Sequence, residues 1–95
     1  MFTVLLRLTG RRADAPRWMD AHNAWLRQGF EDGVFLLSGS LQPQRGGAIL
    51  AHGTSREALQ QRVDADPFVA QGIAEAEILE IAPARTDARL DFLRA

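Results

Sequence analysis

Two histidines, no cysteine and no lysine narrow the chemistry open to this chain. Of the histidines, His22 holds the unusual position. A helical period runs from Arg17 to Phe30. At about 100° per residue it gathers Trp18, Met19, His22, Trp25, Leu26, Gly29 and Phe30 on one side, with Arg17, Asp20, Asn23, Arg27 and Glu31 on the other. A titratable ring therefore sits inside an apolar stripe, where Leu would contribute more packing. Two readings follow. His22 is either a core histidine bonded to a backbone carbonyl, or a general acid or base at the floor of a pocket, working near neutral pH.

Asp66 is the candidate partner. It precedes Pro67 and suits the cap of the turn that follows; its other reading is the carboxylate that orients and charges His22. Ser38 and Ser40 flank Gly39 at the end of a strand, where hydroxyls could bind a ligand. Trp18 and Trp25 share the helix's inward face and read first as core residues, second as walls of a substrate site. His52 falls in the turn after a strand and reads as solvated. No Gly-x-Ser-x-Gly elbow is present, and no acid–histidine order supports a hydrolytic triad. Gly46-Gly47 is too short a glycine signal for phosphate binding. The two histidines stand thirty residues apart with no Cys beside them, so neither a metal nor another cofactor is expected.

These groups need elements to hold them. Phe2 to Leu8 alternates as a strand, with Phe2, Val4, Leu6 and Leu8 on one face. Asp14 suits the cap of the first helix, with Pro16 near its first position, and Asp32-Gly33 ends it. Val34 to Gly39 reads as a second strand and Gly47 to Ala51 as a third, joined by a loop around Pro43. Thr54 and Glu57 match a capping box, opening a helix with Leu59 and Val63 inward. Asp66-Pro67 interrupts that helix, Pro67 to Gln71 forms one more turn before Gly72, and Glu75 to Ala82 is a fourth strand. Strand, helix, strand, strand, helix, strand is the ferredoxin-like βαββαβ order, an α+β fold with a four-stranded antiparallel sheet.

Two helices cover one face of such a sheet, and the other face should then be polar. Here it is not. Val34 and Leu36 are expected to face one way and Phe35 and Leu37 the other; Ala48 and Leu50 oppose Ile49 and Ala51, and Ile78 opposes Leu79 and Ile81. A second copy of the sheet is the simplest cover, so a homodimer through the sheet face is expected. The competing cover is the C-terminal tail, whose Leu90, Phe92 and Leu93 need a surface to pack against.

Composition bounds the rest. Ninety-five residues, 46% hydrophobic and 24% charged, describe one globular domain. The first fifty residues carry six Arg against four acids and the remainder five against eight, a net charge of −1. No nucleic-acid partner is expected, since phosphate neutralisation needs clustered positive charge. No segment approaches the ~20 apolar residues of a membrane span, and the first apolar run is too short for a secretory signal. With no cysteine, the reducing cytoplasm is the expected compartment.

His22 in its helix, Val34-Phe35-Leu36-Leu37-Ser38-Gly39, Gly47-Ala48-Ile49-Leu50-Ala51, and Asp66-Pro67-Phe68-Val69-Ala70-Gln71-Gly72 together resemble the YCII-related (YciI-like) proteins. The likeness runs from Met1 to Pro83, so the expected domain is 1–83 and the tail 84–95. It implies a dimeric α+β barrel in which two ferredoxin-like sheets pack face to face. It also implies a His and an Asp in a shared pocket, carried here by His22 and Asp66 with Ser38 as neighbour. Many relatives have Ser-Gly-Pro where this chain has Ser38-Gly39-Ser40, a departure beside the pocket. One branch of the family resembles dehydrochlorinases of chlorinated hydroquinones, and others are linked to transcription factors. The function expected is a metal-independent acid–base enzyme, of isomerase, lyase or dehalogenase type, acting on a small cyclic or aromatic molecule. The alternative is a non-catalytic module that binds a small ligand or regulates.

Overall fold

The computed structural model describes residues 1–94. Its elements are β1 (Phe2–Leu8), α1 (Ala15–Glu31), β2 (Phe35–Leu41), β3 (Gly46–Ala51), α2 (Arg56–Asp64), α3 (Pro67–Ala70) and β4 (Ala74–Glu80). The strands form one antiparallel sheet in the order β2-β3-β1-β4, with the helices packed on one face. This is the ferredoxin-like α+β arrangement, with α3 added after α2. Alternation along β1 drives the layering: Phe2, Val4 and Leu6 are buried, and Val4 stands in register with Ile49 on one side and Ile78 on the other. Leu59 and Val63 of α2, Phe68 of α3 and Ile73 close over that row.

The first helix packs differently. Gly29 is its one buried residue, and a Cβ there would fall inside the van der Waals shell of the Phe35 ring. Glycine is what lets α1 meet β2 at that point. Elsewhere its inward stripe is half open: Trp18, His22, Trp25 and Leu26 are half-buried, and Met19 and Phe30 are exposed. Toward its N-terminal end the helix lines a cleft instead of closing on the sheet.

Several local expectations need correction. Helix α1 starts at Ala15 after a 3-10 turn at Arg12–Asp14, and the Asp14 side chain caps nothing. The cap of α2 is Ser55, not Thr54. Ser55 holds the extended backbone of an N-cap and its Oγ accepts from the Ala58 amide at 3.1 Å. That shift puts Ala58 where the box needs Glu57. Along β2, Phe35 pairs with Ala51 but Leu37 pairs with the next residue, Leu50, so Leu36 is an extra residue in a β-bulge. Phe35 and Leu37 therefore lie on opposite faces, not the same one.

His52 is only partly solvated. It is half-buried, with the Phe92 ring edge-on at 5.4 Å, so the tail's 3-10 segment Ala88–Arg94 lies against the end of β3. The tail does not close the second face of the sheet, where Leu37 and Leu79 remain 53% and 43% exposed. Ala95, the last residue of the expected tail, lies outside the described residues. Among the described residues no helix is long and apolar enough to cross a membrane.

Candidate functional site

The site is built from two short stretches, the middle of α1 and the start of α3. Pro67 stands at the first helical position of α3, which forces Asp66 out of the helix and into the cap position, where its Oδ1 accepts from the Phe68 amide at 3.1 Å. The turn closes at Gly72, whose φ of +73° is open to glycine at little cost. Helix α3 packs on α1, and this brings Asp66 to His22. Their contact, Nδ1 to Oδ1, is 2.7 Å.

Both groups are withdrawn from water: the Asp66 side chain is 0% exposed and that of His22 12%. Asp66 Oδ2 is also buried and has no hydrogen-bond partner among the described residues. A carboxylate oxygen so placed is costly to bury, and the His22 ring is the titratable partner beside it. Phe68 lies flat on that ring, centroids 4.1 Å apart and planes 3° from parallel. The Asp66-Pro67-Phe68 run thus supplies both the acceptor and the plate that fix the imidazole. Trp25 lies 5.8 Å from it and donates its indole N–H to the Arg62 carbonyl at 2.9 Å.

His22 opens on a cleft of about 340 Å³ between α1 and the sheet, within the size range of small-molecule sites. Its walls are mostly apolar, from Leu6, Met19, Leu26, Ile49 and Phe68. The polar side chains on it are His22, Asn23, Ser38 and Ser40. The bulge at Leu36 explains the serines. It resets the alternation so that Ser38 pairs with Ile49 and Ser40 with Gly47, on the helix-covered face. Nε2 of His22 has no partner among the described residues and is not a buried orphan, so solvent reaches it.

Of the residues singled out in the sequence, His22 and Asp66 are brought into contact, and Ser38 and Ser40 stand on the same cleft. Trp18 and Trp25 are not among the residues that line it; both pack against the core. Asn23, assigned to the outward side of α1, is on the cleft. It lies one residue beyond His22, about 100° further round, and the half-open seat of the helix leaves that position facing the cavity. Among the described residues no three His, Cys, Asp or Glu side chains are grouped to hold a metal ion.

A ferredoxin-like sheet carrying a buried histidine–aspartate contact beside an apolar cleft is the class that fold and site define. The chain belongs to the YCII-related domain family, whose model matches residues 1–82. Among solved structures, it is similar to 5-chloro-2-hydroxyhydroquinone dehydrochlorinase from Burkholderia phenoliruptrix AC1100, in complex with 2,5-dihydroxybenzoquinone. The TM-score is 0.69 at 16% identity, over 85% of this chain and 93% of that one. At that identity the likeness is one of fold. The search of curated proteins found no match.

Proposed function

We propose that this protein is a small cytoplasmic, metal-independent enzyme that moves a proton on a cyclic or aromatic molecule, as an isomerase, lyase or dehalogenase does, and that it works as a homodimer. The observation that carries the reading is the 2.7 Å contact of His22 Nδ1 with Asp66 Oδ1 beside a cleft that His22 lines, with the other ring nitrogen left without a partner among the described residues. With a carboxylate as acceptor, the proton belongs on Nδ1 and the lone pair on Nε2. Nε2 then removes a proton from a hydroxyl or an activated C–H of the bound ring. The buried carboxylate of Asp66 stabilises the imidazolium as it forms, as in other histidine–aspartate pairs. In an elimination, the bond to the leaving halide breaks with its electron pair while Nε2 holds the proton. The apolar walls suit a flat ring, and Ser38 gives its oxygen substituents a hydrogen-bonding neighbour.

The similarity to a dehydrochlorinase makes 5-chloro-2-hydroxyhydroquinone the first compound to offer, with chloride release as the readout. His22→Gln should lower turnover by about 10²-fold or more while 2,5-dihydroxybenzoquinone still binds. Turnover unchanged in His22→Gln would sink the assignment. Tight binding of a ligand that is recovered unaltered after long incubation would instead favour a non-catalytic binding module.

A further inference from the structure

We infer a second binding site, for a small organic anion, at the end of the sheet where β1 gives way to the turn at Arg12–Asp14. Three arginines line one concave patch there, from three separate segments: Arg7 near the end of β1, Arg12 in the turn, and Arg45 in the loop between β2 and β3. Leu5, Leu8 and Leu41 supply its apolar surface, and among the described residues no acidic side chain lines it, although Glu77 pairs with Arg7 at its edge. Leu5, Arg7 and Leu41 stand on the helix-free face of the sheet, at the end away from the row of Leu37, Leu50 and Leu79. The chain as a whole has a net charge of −1, so this gathering of positive charge is local and opposite in sign to the whole.

The guanidinium groups have donors to spare. Arg7 is paired with Glu77 on the exposed surface. Among the described residues Arg12 reaches only the Gln44 carbonyl, at 3.5 Å, and the Arg45 side chain has no partner. Their backbone is tied down. The Leu8 amide donates to the Arg45 carbonyl at 3.1 Å and the Arg45 amide to the Leu41 carbonyl at 3.0 Å. Gly46 follows at a φ of +128°, where a Cβ would strike the Leu6 carbonyl. A loop already held in place loses little further freedom when a ligand binds.

Planar guanidinium groups match the two oxygens of a carboxylate or phosphate. The leucines require something more than a bare ion: they fit a hydrocarbon chain or ring attached to it. The occupant is therefore a carboxylic acid or a phosphate monoester with a short apolar body. Leu8 borders both this patch and the His22 cleft, so the two sites are adjacent, and the anion site stands whether or not His22 is catalytic.

Calorimetric titration of the full chain with hexanoate, phenyl phosphate and the neutral hexanamide tests it. One or both acids should bind saturably, the amide at least tenfold more weakly, and raised salt should weaken the acids alone. Which acid binds distinguishes carboxylate from phosphate. The double variant Arg12→Gln/Arg45→Gln, at exposed positions and checked for unchanged thermal unfolding, should lose at least tenfold in affinity, and His22→Gln should lose none. Equal binding of acid and amide, or no saturable binding of either acid, overturns the proposal. So does a double variant that changes the oligomeric state but binds the acids as before, which would give the arginines to a contact between copies.

Discussion

At Asp66 a single oxygen does two things: Oδ1 accepts the Phe68 amide that opens α3 and the ring nitrogen of His22. The two substitutions Asp66→Ala and Asp66→Asn separate them. Alanine removes both bonds and leaves His22 Nδ1 without its partner, so it should cost about 1–3 kcal/mol in denaturant unfolding. Asparagine can keep an oxygen in the Oδ1 position and so keep most of that stability, while losing the charge that supports an imidazolium. Turnover should fall in both variants, but only alanine should unfold markedly earlier. Equal loss of stability would mean that the carboxylate charge, and not the bond geometry, holds the segment. His22 and Asp66 were legible in the sequence because each breaks a local pattern, a titratable ring in an apolar stripe and an acid before proline. Asn23 breaks none, and only the open seat of α1 gives it to the cleft.

Asp32 carries a different prediction. The Gln28 amide, and then the Arg62 guanidinium, hold its carboxyl below the usual range. A lowered folded pKa means a contribution that is complete above the unfolded value and disappears as pH falls through the folded one. Thermal unfolding of the protein and of Asp32→Asn should thus differ at neutral pH and converge as pH drops below 3.8, the ordinary value. Because Arg62 belongs to α2 and also takes the Trp25 indole bond on its carbonyl, this pair clips α2 to the end of α1. A gap between the two proteins that persisted into acid would assign the effect to something other than the charge.

Among the elements, apolar pattern together with Asp66-Pro67 located the four strands and three α-helices, while the 3-10 segments Arg12–Asp14 and Ala88–Arg94 and the turn details that matter to the site were missed. Thr54 and Glu57 have the residue types of a capping box, yet Ser55 sits in the extended conformation that makes a cap, and its hydroxyl is the one bonded to the helix. Ser55→Ala should therefore cost about 1 kcal/mol, and Thr54→Ala no more than a few tenths, as at an ordinary surface position. The opposite ranking in urea unfolding would restore the box. The bulge in β2 is a larger miss. Strict alternation from Phe35 would have sent Ser38 and Ser40 to the open face; one extra residue at Leu36 turns both to the helix-covered side, where the cleft lies. Nothing in Phe35-Leu36-Leu37 announces it, because all three are apolar and any register satisfies them.

The whole molecule leaves one face unfinished. Register places Leu37, Leu50, Thr3 and Leu79 in a row across all four strands on the side without helices, and Ile81 beyond it is 45% exposed. A monomer of 10.5 kDa is expected to expose about 5,400 Å² by the usual scaling with mass, while this chain exposes 6133 Å². Some of the excess belongs to the tail, where Phe92 is 48% exposed against His52; the apolar row is what a second sheet would cover. Doubled apolar faces on the strands were visible in the sequence, but which leucines form the row depended on the bulge. Sedimentation equilibrium at micromolar concentration should return twice the chain mass of 10.5 kDa, and Leu37→Asp, which places a charge in the row, should return the single mass with its fold intact. Phe92→Ser, on the tail, should leave the dimer unchanged. If Phe92→Ser dissociated it and Leu37→Asp did not, the contact between copies would run through the tail. A single mass for the unaltered chain would remove the dimer and require that this row of leucines meets water.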